Sequence, residues 1–426
     1  MAATSTELIQ HRKIYEISPT RKLVLGIIEI LFAVLVFRVF SFNLDPTLTT
    51  RFVMTPGGIE IGQLADWVLP SKLSLVLIAA VILLIGLYQI IRGFARLTNT
   101  MVGVSAFLLV FSFLIWQASG RSLNLGGMLS SAVLLAVPIT LGAFSGVLAE
   151  RSGIINIAIE GMMLMSAMVS AIVASVTRSP WVGLLGGILA SMLLGLLHAV
   201  LSIRFKVNQT ISGTVINIFS TGLTAFISQK FLQSIESLNT PPMFPRVPIP
   251  GLANIPLIGP VLFNTNVFVY IMFVLLIILQ IALFQTRWGL RYRSVGEHPK
   301  AADTLGIDVI KTRYVGVLLS AMVAGIGGAF FTLGSVGRFD EGMTAGKGFI
   351  GLAAMIFGNW TPLGSLGAGL LFGFADAIGS KLSLLGSAIP PQFMAMTPYV
   401  ITMVVLAGFI GRGHAPAAEG TPYEKE

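Results

Sequence analysis

Long apolar runs separated by short polar stretches set the pattern of this chain. A helix needs about twenty residues to cross a hydrocarbon layer roughly 30 Å thick, and run after run meets that length. The spans expected from the pattern are Lys22–Phe42, Lys72–Arg92, Met101–Ala118, Gly127–Ala149, Ile154–Val176, Trp181–Ile203, Thr210–Leu232, Asn264–Thr286 and Tyr314–Ser335. A shorter broken pair follows, Phe349–Phe357 and Leu363–Ser380, and then a last span, Met396–Gly411. The pattern predicts an all-α polytopic membrane protein with about ten to twelve transmembrane segments, including broken or re-entrant helices. The first run has no small-residue cleavage site behind it, so it reads as a span rather than a removed leader.

Composition supports the bilayer as solvent. Of 426 residues, 55% are hydrophobic and 11% charged, and the mean hydropathy is +0.88, which excludes a water-soluble domain of this size. The chain has no cysteine and four histidines, which argues against disulfides, thiol chemistry and Cys/His metal sites. The formal net charge of +9 does not imply a nucleic-acid partner, because Lys and Arg flank the apolar runs as topology determinants. Arg12, Lys13, Arg21 and Lys22 place the N-terminus in the cytoplasm. Counting spans from there puts Arg92 and Arg96, Arg204 and Lys206, and the cluster from Arg287 to Arg313 inside as well. The Pro-rich loop 233–263, with Arg246 alone, falls outside, and the C-terminus returns to the cytoplasm.

Three regions are expected. Residues 1–120 form an N-terminal tail with additional helices joined by longer polar connections, residues 121–411 a dense Gly-rich core, and residues 412–426 a polar cytoplasmic tail. Small-xxx-small pairs such as Gly142/Gly146, Gly183/Gly187 and Gly369/Gly373 let helix backbones approach where no hydrophobic force drives association.

The stretch Trp288–Tyr314 is too long for a hairpin loop and has helix grammar. Pro299 suits a first helical turn, Ala301 and Ala302 favour helix, and Gly306 ends it. A short helix with a small-residue surface suits docking into a soluble partner. The spacing of Ala301, Ala302 and Gly306 is similar to the EAA-x3-G loop with which permease subunits of bacterial ABC importers meet their ATPases, although Lys300 stands where that pattern has Glu. Together with LAERSGIINIAIEGMML (148–164), NQTISGTVIN (208–217) and GMTAGKGFIGLAAMIFGNWTPLG (342–364), this stretch resembles the branched-chain amino acid, ribose and nucleoside ABC permease family over about Leu129–Gly411. Its branch for simple sugars and purine nucleosides is the most similar.

The resemblance implies a type II importer fold and a coupling loop at Glu297, His298, Pro299, Ala301, Ala302 and Gly306. It also implies a separate ATPase subunit that binds ATP and magnesium, a second and different permease subunit, and an extracytoplasmic binding lipoprotein or periplasmic protein. The location implied is the bacterial inner membrane. No cofactor is expected on the chain itself, and it is not expected to be an enzyme. GMTAGKG is no P-loop, since Glu341 stands where the first Gly belongs and Gly348 where Ser or Thr must hold magnesium.

Intramembrane polar groups supply the candidate substrate path. Glu160 follows a break at Ser152-Gly153 and is expected to share a helix face with Asn156; it either lines a water-filled path or pairs with Arg151 or a neighbouring helix. Asn217 is either interhelical glue or a ligand contact. Asn359, Trp360 and Thr361 form the turn of the broken pair and either line the path or plug it. Asp376 is expected to pair with Lys381, and Glu29 and Arg38 to snorkel or pair near opposite ends of the first span. The expected function is permeation of a nucleoside or sugar-like solute in an ATP-driven importer. An ion-gradient-driven secondary transporter is the alternative, disfavoured by the scarcity of paired intramembrane carboxylates and histidines.

Overall fold

The computed structural model describes residues 18–57, 64–384, 396 and 413–425. Ten described helices are long and apolar enough to cross a membrane. The last expected span, Met396–Gly411, lies outside the described residues except for Met396. The chain divides into two compact units, one made of residues 1–54 and 65–125, the other of 126–426 with 55–64.

In the first unit, α1 (Pro19–Leu35) starts where the Ser18 side chain accepts the Arg21 N–H and Pro19 supplies a preset φ. It continues through a π-helical turn to Ser41 and packs against α2 (Ser71–Ile91) and α3 (Thr98–Gln117). A Cβ at Gly86 would stand 3.1 Å from the Gly26 carbonyl, so these two glycines set the α1–α2 approach. A small sheet of β1 (Thr49–Val53), β2 (Trp67–Pro70) and β3 (Ser122–Asn124) closes one end in the order β2-β1-β3. Each strand is only three to five residues long, and the unit is otherwise helical, as expected. Glu29 departs from its expected place near a span end. It is buried in mid-helix, beyond snorkelling reach of either end, with Ser105 Oγ of α3 at 3.5 Å. Arg38 lies over the Phe42 ring at 4.7 Å.

The second unit is built round α4 (Leu125–Arg151), whose most apolar window is 89% buried against 28% for α8 (Val267–Gln285). A helix apolar on every side belongs inside a bundle, and α4 has Ala, Gly and Val facing all directions. α5 (Ile159–Thr177) and α11 (Val309–Ala329) lie against it, with α6 (Pro180–Ala199) packed on both and α7 (Gln209–Ile227) on α5; α6, α7 and α11 are prolonged by π-helical turns. The expected glycine pairs sit at the contacts. Gly142 lies 3.5 Å from the Gly351 Cα by its virtual Cβ, Gly183 and Gly187 face Ala174 and Ser170 of α5, and Gly369 and Gly373 face Thr140, Ala132 and Ala136 of α4. A second short ladder pairs Arg246–Pro248 with Asn264–Asn266 before α8.

Between α8 and α11 come two shorter helices, α9 (Arg287–Glu297) and α10 (Pro299–Thr304). The broken pair is α12 (Lys347–Phe357), eleven residues, and α13 (Pro362–Leu384), twenty-three. Gly348 and Gly351 lie beside Gly142, while Asn359 and Trp360 lie beside Arg151. α12 therefore runs alongside the last third of α4, and at ~1.5 Å per residue it begins roughly 14 Å short of that end. It covers about half a hydrocarbon layer.

Candidate functional site

Two polar layers hold the expected site residues, one deep between α4, α5 and α12, the other at the end of α4. The deep layer surrounds the chain break. α5 starts at Ile159, so Asn156 stands in the extended link 153–158 rather than on the helix of Glu160, against the shared-face expectation. The link is stable as non-helical backbone because its polar groups are answered from other helices. Gln209 Oε1 accepts the Ile155 N–H at 2.7 Å, and His198 Nε2 lies 2.9 Å from the Ile155 carbonyl. Asn217 Nδ2 donates to the Ile157 carbonyl at 2.9 Å and its Oδ1 accepts the Gly161 N–H at 2.7 Å. Asn156 is fully buried; its Oδ1 accepts the Ala158 N–H and its Nδ2 donates to Ser320 Oγ at 2.9 Å.

Glu160 faces the start of α12. Its carboxylate accepts from Thr344 Oγ1 at 2.7 Å, the Gly346 N–H at 2.8 Å and the Gly348 N–H at 2.6 Å. A half-span helix would otherwise present its unpaired N–H groups and the positive end of its dipole inside the bundle, and Glu160 answers both. A Cβ at Gly348 would stand 2.7 Å from the Glu160 backbone, so only glycine admits this approach. Of the two partners weighed for Glu160, the neighbouring helix is the one found. Asp376 pairs with Lys347 rather than Lys381, because Lys347 at the head of α12 faces α13 directly.

The outer layer centres on Arg151. Its Nε donates to the Trp360 carbonyl at 2.9 Å, its Nη2 to the Asn359 carbonyl at 3.3 Å, and its Nη1 lies 3.7 Å from Glu297 Oε1. Trp360 Nε1 donates to Glu150 Oε2 at 2.5 Å. Asn359 and Trp360 both carry positive φ, +53° and +52°, a turn strained for non-glycine residues and held by these bonds. Thr361 Oγ1 closes the turn on Gly358 and accepts the Gly364 N–H. The turn thus sits at the α4 terminus beside Glu297, away from the deep layer that holds Asn156, Glu160 and Asn217.

The expected coupling residues form one element at this same end. Thr286 caps α9 by accepting the Gly289 N–H, and the buried Tyr292 hydroxyl donates to the Leu148 carbonyl, tying α9 to α4; burial pushes the Tyr292 phenol up. His298 Nδ1 accepts the Ala301 N–H and so caps α10, Pro299 occupies its first turn, and Gly306 ends it at φ +78°. Ala302 is 1% exposed and packs on Val295 and Val309, so its small side chain fits the protein's own interior rather than an outer surface. The outward side carries Lys300, Ala301, Thr304 and Leu305. Leu305, at 81%, is the most exposed large hydrophobic side chain among the described residues. The signal for it was in the sequence: an isolated leucine between polar residues just before a helix-ending glycine.

Sequence reasoning also passed over the C-terminal tail, whose residues 417–424 and α10 line a cleft of about 630 Å³. At the opposite end of α7, Gln229, Gln233, Asn239, Arg338 and Glu341 line another of about 740 Å³, with both glutamine amides 3.3 Å from the Glu341 carboxylate. Among the described residues no group of His, Cys, Asp and Glu could hold a metal ion.

Residues 128–408 match the family described as branched-chain amino acid transport system / permease component. The chain is 41% identical over 305 residues to the guanosine ABC transporter permease protein NupQ of Bacillus subtilis, covering 69% of this chain and 95% of that protein. It is 38% identical over 309 residues to the nucleoside ABC transporter permease protein NupC of Lactococcus lactis, covering 70% and 96%. A more distant likeness, 24% over 295 residues, joins it to the nucleoside ABC transporter permease protein NupB of the same Lactococcus strain, covering 66% and 80%. No solved structure matches. Among the described residues, ten helices apolar and long enough to span, a half-span helix capped by Glu160 and a short capped helix outside them accompany these matches, and the chain belongs to the branched-chain amino acid transport system permease family.

Proposed function

We propose that this chain is one of two membrane subunits of an ATP-driven importer for a nucleoside, or failing that a sugar-like solute. ATP and magnesium are bound by a separate ATPase subunit that docks on α10. The observation that carries the reading is the outward edge Lys300, Ala301, Thr304 and Leu305: an apolar side chain is displayed at the end of α10, whose other face packs through Ala302 on Val295 of α9, itself tied to α4 by Tyr292. Its relatives, a guanosine permease and a nucleoside permease, support the solute class.

In this reading the α10 end and both termini face the cytoplasm, and the membrane is the bacterial inner membrane. The transport core lies within residues 121–411, residues 1–120 are an addition to it, and 412–426 are a tail. Glu297, His298, Pro299, Ala301, Ala302 and Gly306 build the coupling element. Asn156, Glu160 and Asn217 hold the break and the half-span helix in the register that shapes the path, and Asn359, Trp360 and Thr361 link that register to the coupling element. A different permease subunit completes the path, supported by the presence of two mutually distinct relatives in one Lactococcus strain. An extracytoplasmic binding protein delivers the solute.

The test is reconstitution of the purified permease pair in vesicles with radiolabelled guanosine. Uptake is expected only with the ATPase subunit, ATP and magnesium present. Uptake driven by a sodium or proton gradient with no ATPase would overturn the reading in favour of a secondary transporter.

A further inference from the structure

Residues 413–425 lie beyond the last expected span and, read by composition alone, form a solvated end. Their backbone is instead bonded along most of its length to other parts of the second unit. The His414 N–H donates to Asn359 Oδ1 at 2.8 Å, the Ala417 N–H to Glu297 Oε2 at 3.2 Å and the Ala418 N–H to the Gly296 carbonyl at 2.9 Å. The Gly420 N–H donates to the Gly153 carbonyl at 3.2 Å, inside the break after α4. Lys206, between α6 and α7, bridges Glu424, and Tyr423 packs against the cluster Val295, Ala302 and Val309. A segment lying loosely on a surface would leave these groups to water.

Two buried groups depend on this segment. Arg313, at the start of α11, is 2% exposed; its Nη1 donates to the Thr421 carbonyl at 2.9 Å, and its Nε and Nη2 have no partner among the described residues. A buried guanidinium that lost its acceptor would be left as an uncompensated charge. Glu150, at the end of α4, is 4% exposed, accepts from Trp360 Nε1 and lies within electrostatic reach of Glu419 on the segment.

We propose that residues 413–425 are a clasp that locks the α9–α10 element to the break after α4, so that movement of α10 is delivered to α4, α5 and the α12–α13 turn. The clasp holds the α9–α10 element at Gly296 and Glu297 of α9 and Ala302 of α10, and holds the transmembrane side at Gly153, Glu150, Arg313 and Asn359. Without it, the α9–α10 element keeps its direct contacts with the end of α4, through Tyr292 to Leu148, Glu297 to Arg151 and Gly296 against Arg151 and Gly153, but loses the bonds that the tail adds at Gly153, Arg313 and Asn359. The clasp rests on the proposed function only in taking an ATPase as the source of that movement.

The experiment compares the full chain with a chain ending at residue 412, each reconstituted with its ATPase, second permease and binding protein. The shortened chain is expected to retain the ATPase on co-purification and to go on hydrolysing ATP, while solute moved per ATP falls about tenfold. A peptide of residues 413–426 added in excess restores the ratio. A wild-type ratio without the tail overturns the clasp; so does loss of the ATPase from the complex, which would make the segment a docking surface. Should the shortened chain fail to insert, the double variant Glu419→Ala/Tyr423→Ala, which leaves the backbone whole, is read by the same ratio. ATP-independent uptake by the full chain would instead be a failure of the importer reading and is measured first.

Discussion

The two units spend their residues differently. In the N-terminal unit, about a third or less of each span's most apolar window is buried, 28% for α1 and α2 and 33% for α3, and leucine, isoleucine and valine cover the outside. In the second unit, α4, α5 and α11 are buried over 89%, 72% and 72% of theirs, and these helices are dense in glycine, alanine, serine and methionine. Lipid is as apolar as leucine, so a span facing it needs only hydropathy and length. A span enclosed by other spans gains from backbone closeness and hydrogen bonds, and there each small residue is fixed by what lies opposite.

The sharpest way to break this comparison is one bulky substitution placed in each unit. A Cβ at Gly328 of α11 would fall on the Met163 carbonyl of α5, whereas one at Gly103 of α3 meets nothing within 4 Å. Gly328→Leu is expected to cost about 3 kcal/mol or more and to abolish monodisperse protein in detergent. Gly103→Leu should elute like the wild type. Equal behaviour of the two would dissolve the distinction between the units.

The next effect separates the two faces of α10. Leu305→Glu is expected to insert and keep its thermal unfolding temperature but to lower ATPase co-purification by about tenfold, since only the displayed side is changed. Ala302→Glu should lose thermal stability as well, because the carboxylate must enter the Val295–Val309 cluster unpaired. Loss of ATPase with full stability in Ala302→Glu would mean that Ala302, not Leu305, meets the partner.

A smaller effect is expected at Glu160. Glu160→Gln keeps an oxygen acceptor for the α12 N–H groups but removes the charge that answers the helix end, a loss of about 1 kcal/mol. Uptake should fall a few-fold with assembly intact, as measured by co-purification of the ATPase; unchanged uptake would return Glu160 to a packing role alone. Asn156→Ala should also lower uptake without loss of assembly.

The smallest effect concerns pH and two carboxylates of the tail, Glu419 and Glu424. Burial raises the Glu419 carboxyl above its usual range, so the docked tail binds a proton more tightly than the free tail. Docking is then favoured below the ordinary carboxylate value and weakens as pH climbs from there to the raised one. Facing Glu419 are Glu150 and Arg151, with Glu297 and Arg293 acting on Arg151. Glu424 behaves in the opposite sense: its bond to Lys206 lowers it, so that bridge is kept above the ordinary value and is lost as pH falls through the lowered one. Because the chain has no cysteine, maleimide labelling of Ala418→Cys reports release directly. Relative to the same probe in a Glu419→Gln background, which corrects for thiol ionisation, labelling should rise with pH; no difference between backgrounds would remove Glu419 from control of docking.

Hydropathy made the spans legible, since each described one falls within a few residues of the apolar run that announced it. The broken pair was legible for the same reason, as the first apolar run was too short to cross. The strands at Thr49–Val53 and Trp67–Pro70 were not, being shorter than any period that could mark them. The family was legible in four motif blocks, and the short helix α10 in its proline, alanines and glycine. What escaped was every partnership across the sequence. Glu160 is answered 184 and more residues later by Thr344, Gly346 and Gly348, and Arg151 by Asn359 and Trp360, and no local pattern encodes such distances. The same holds for Ala302, whose small size fits an inner surface as well as an outer one.

The half-span helix bears on which solutes the bundle can discriminate. The open end of α12 is worth roughly half a positive elementary charge, and Glu160 sits on it; Lys347, one residue inside, is matched by Asp376. These countercharges leave the deep layer of the described residues with no bare cationic end to draw in an anion. On the proposed path, a neutral solute would meet no cationic trap in that layer, while a phosphorylated analogue would find nothing there to replace the water it must shed.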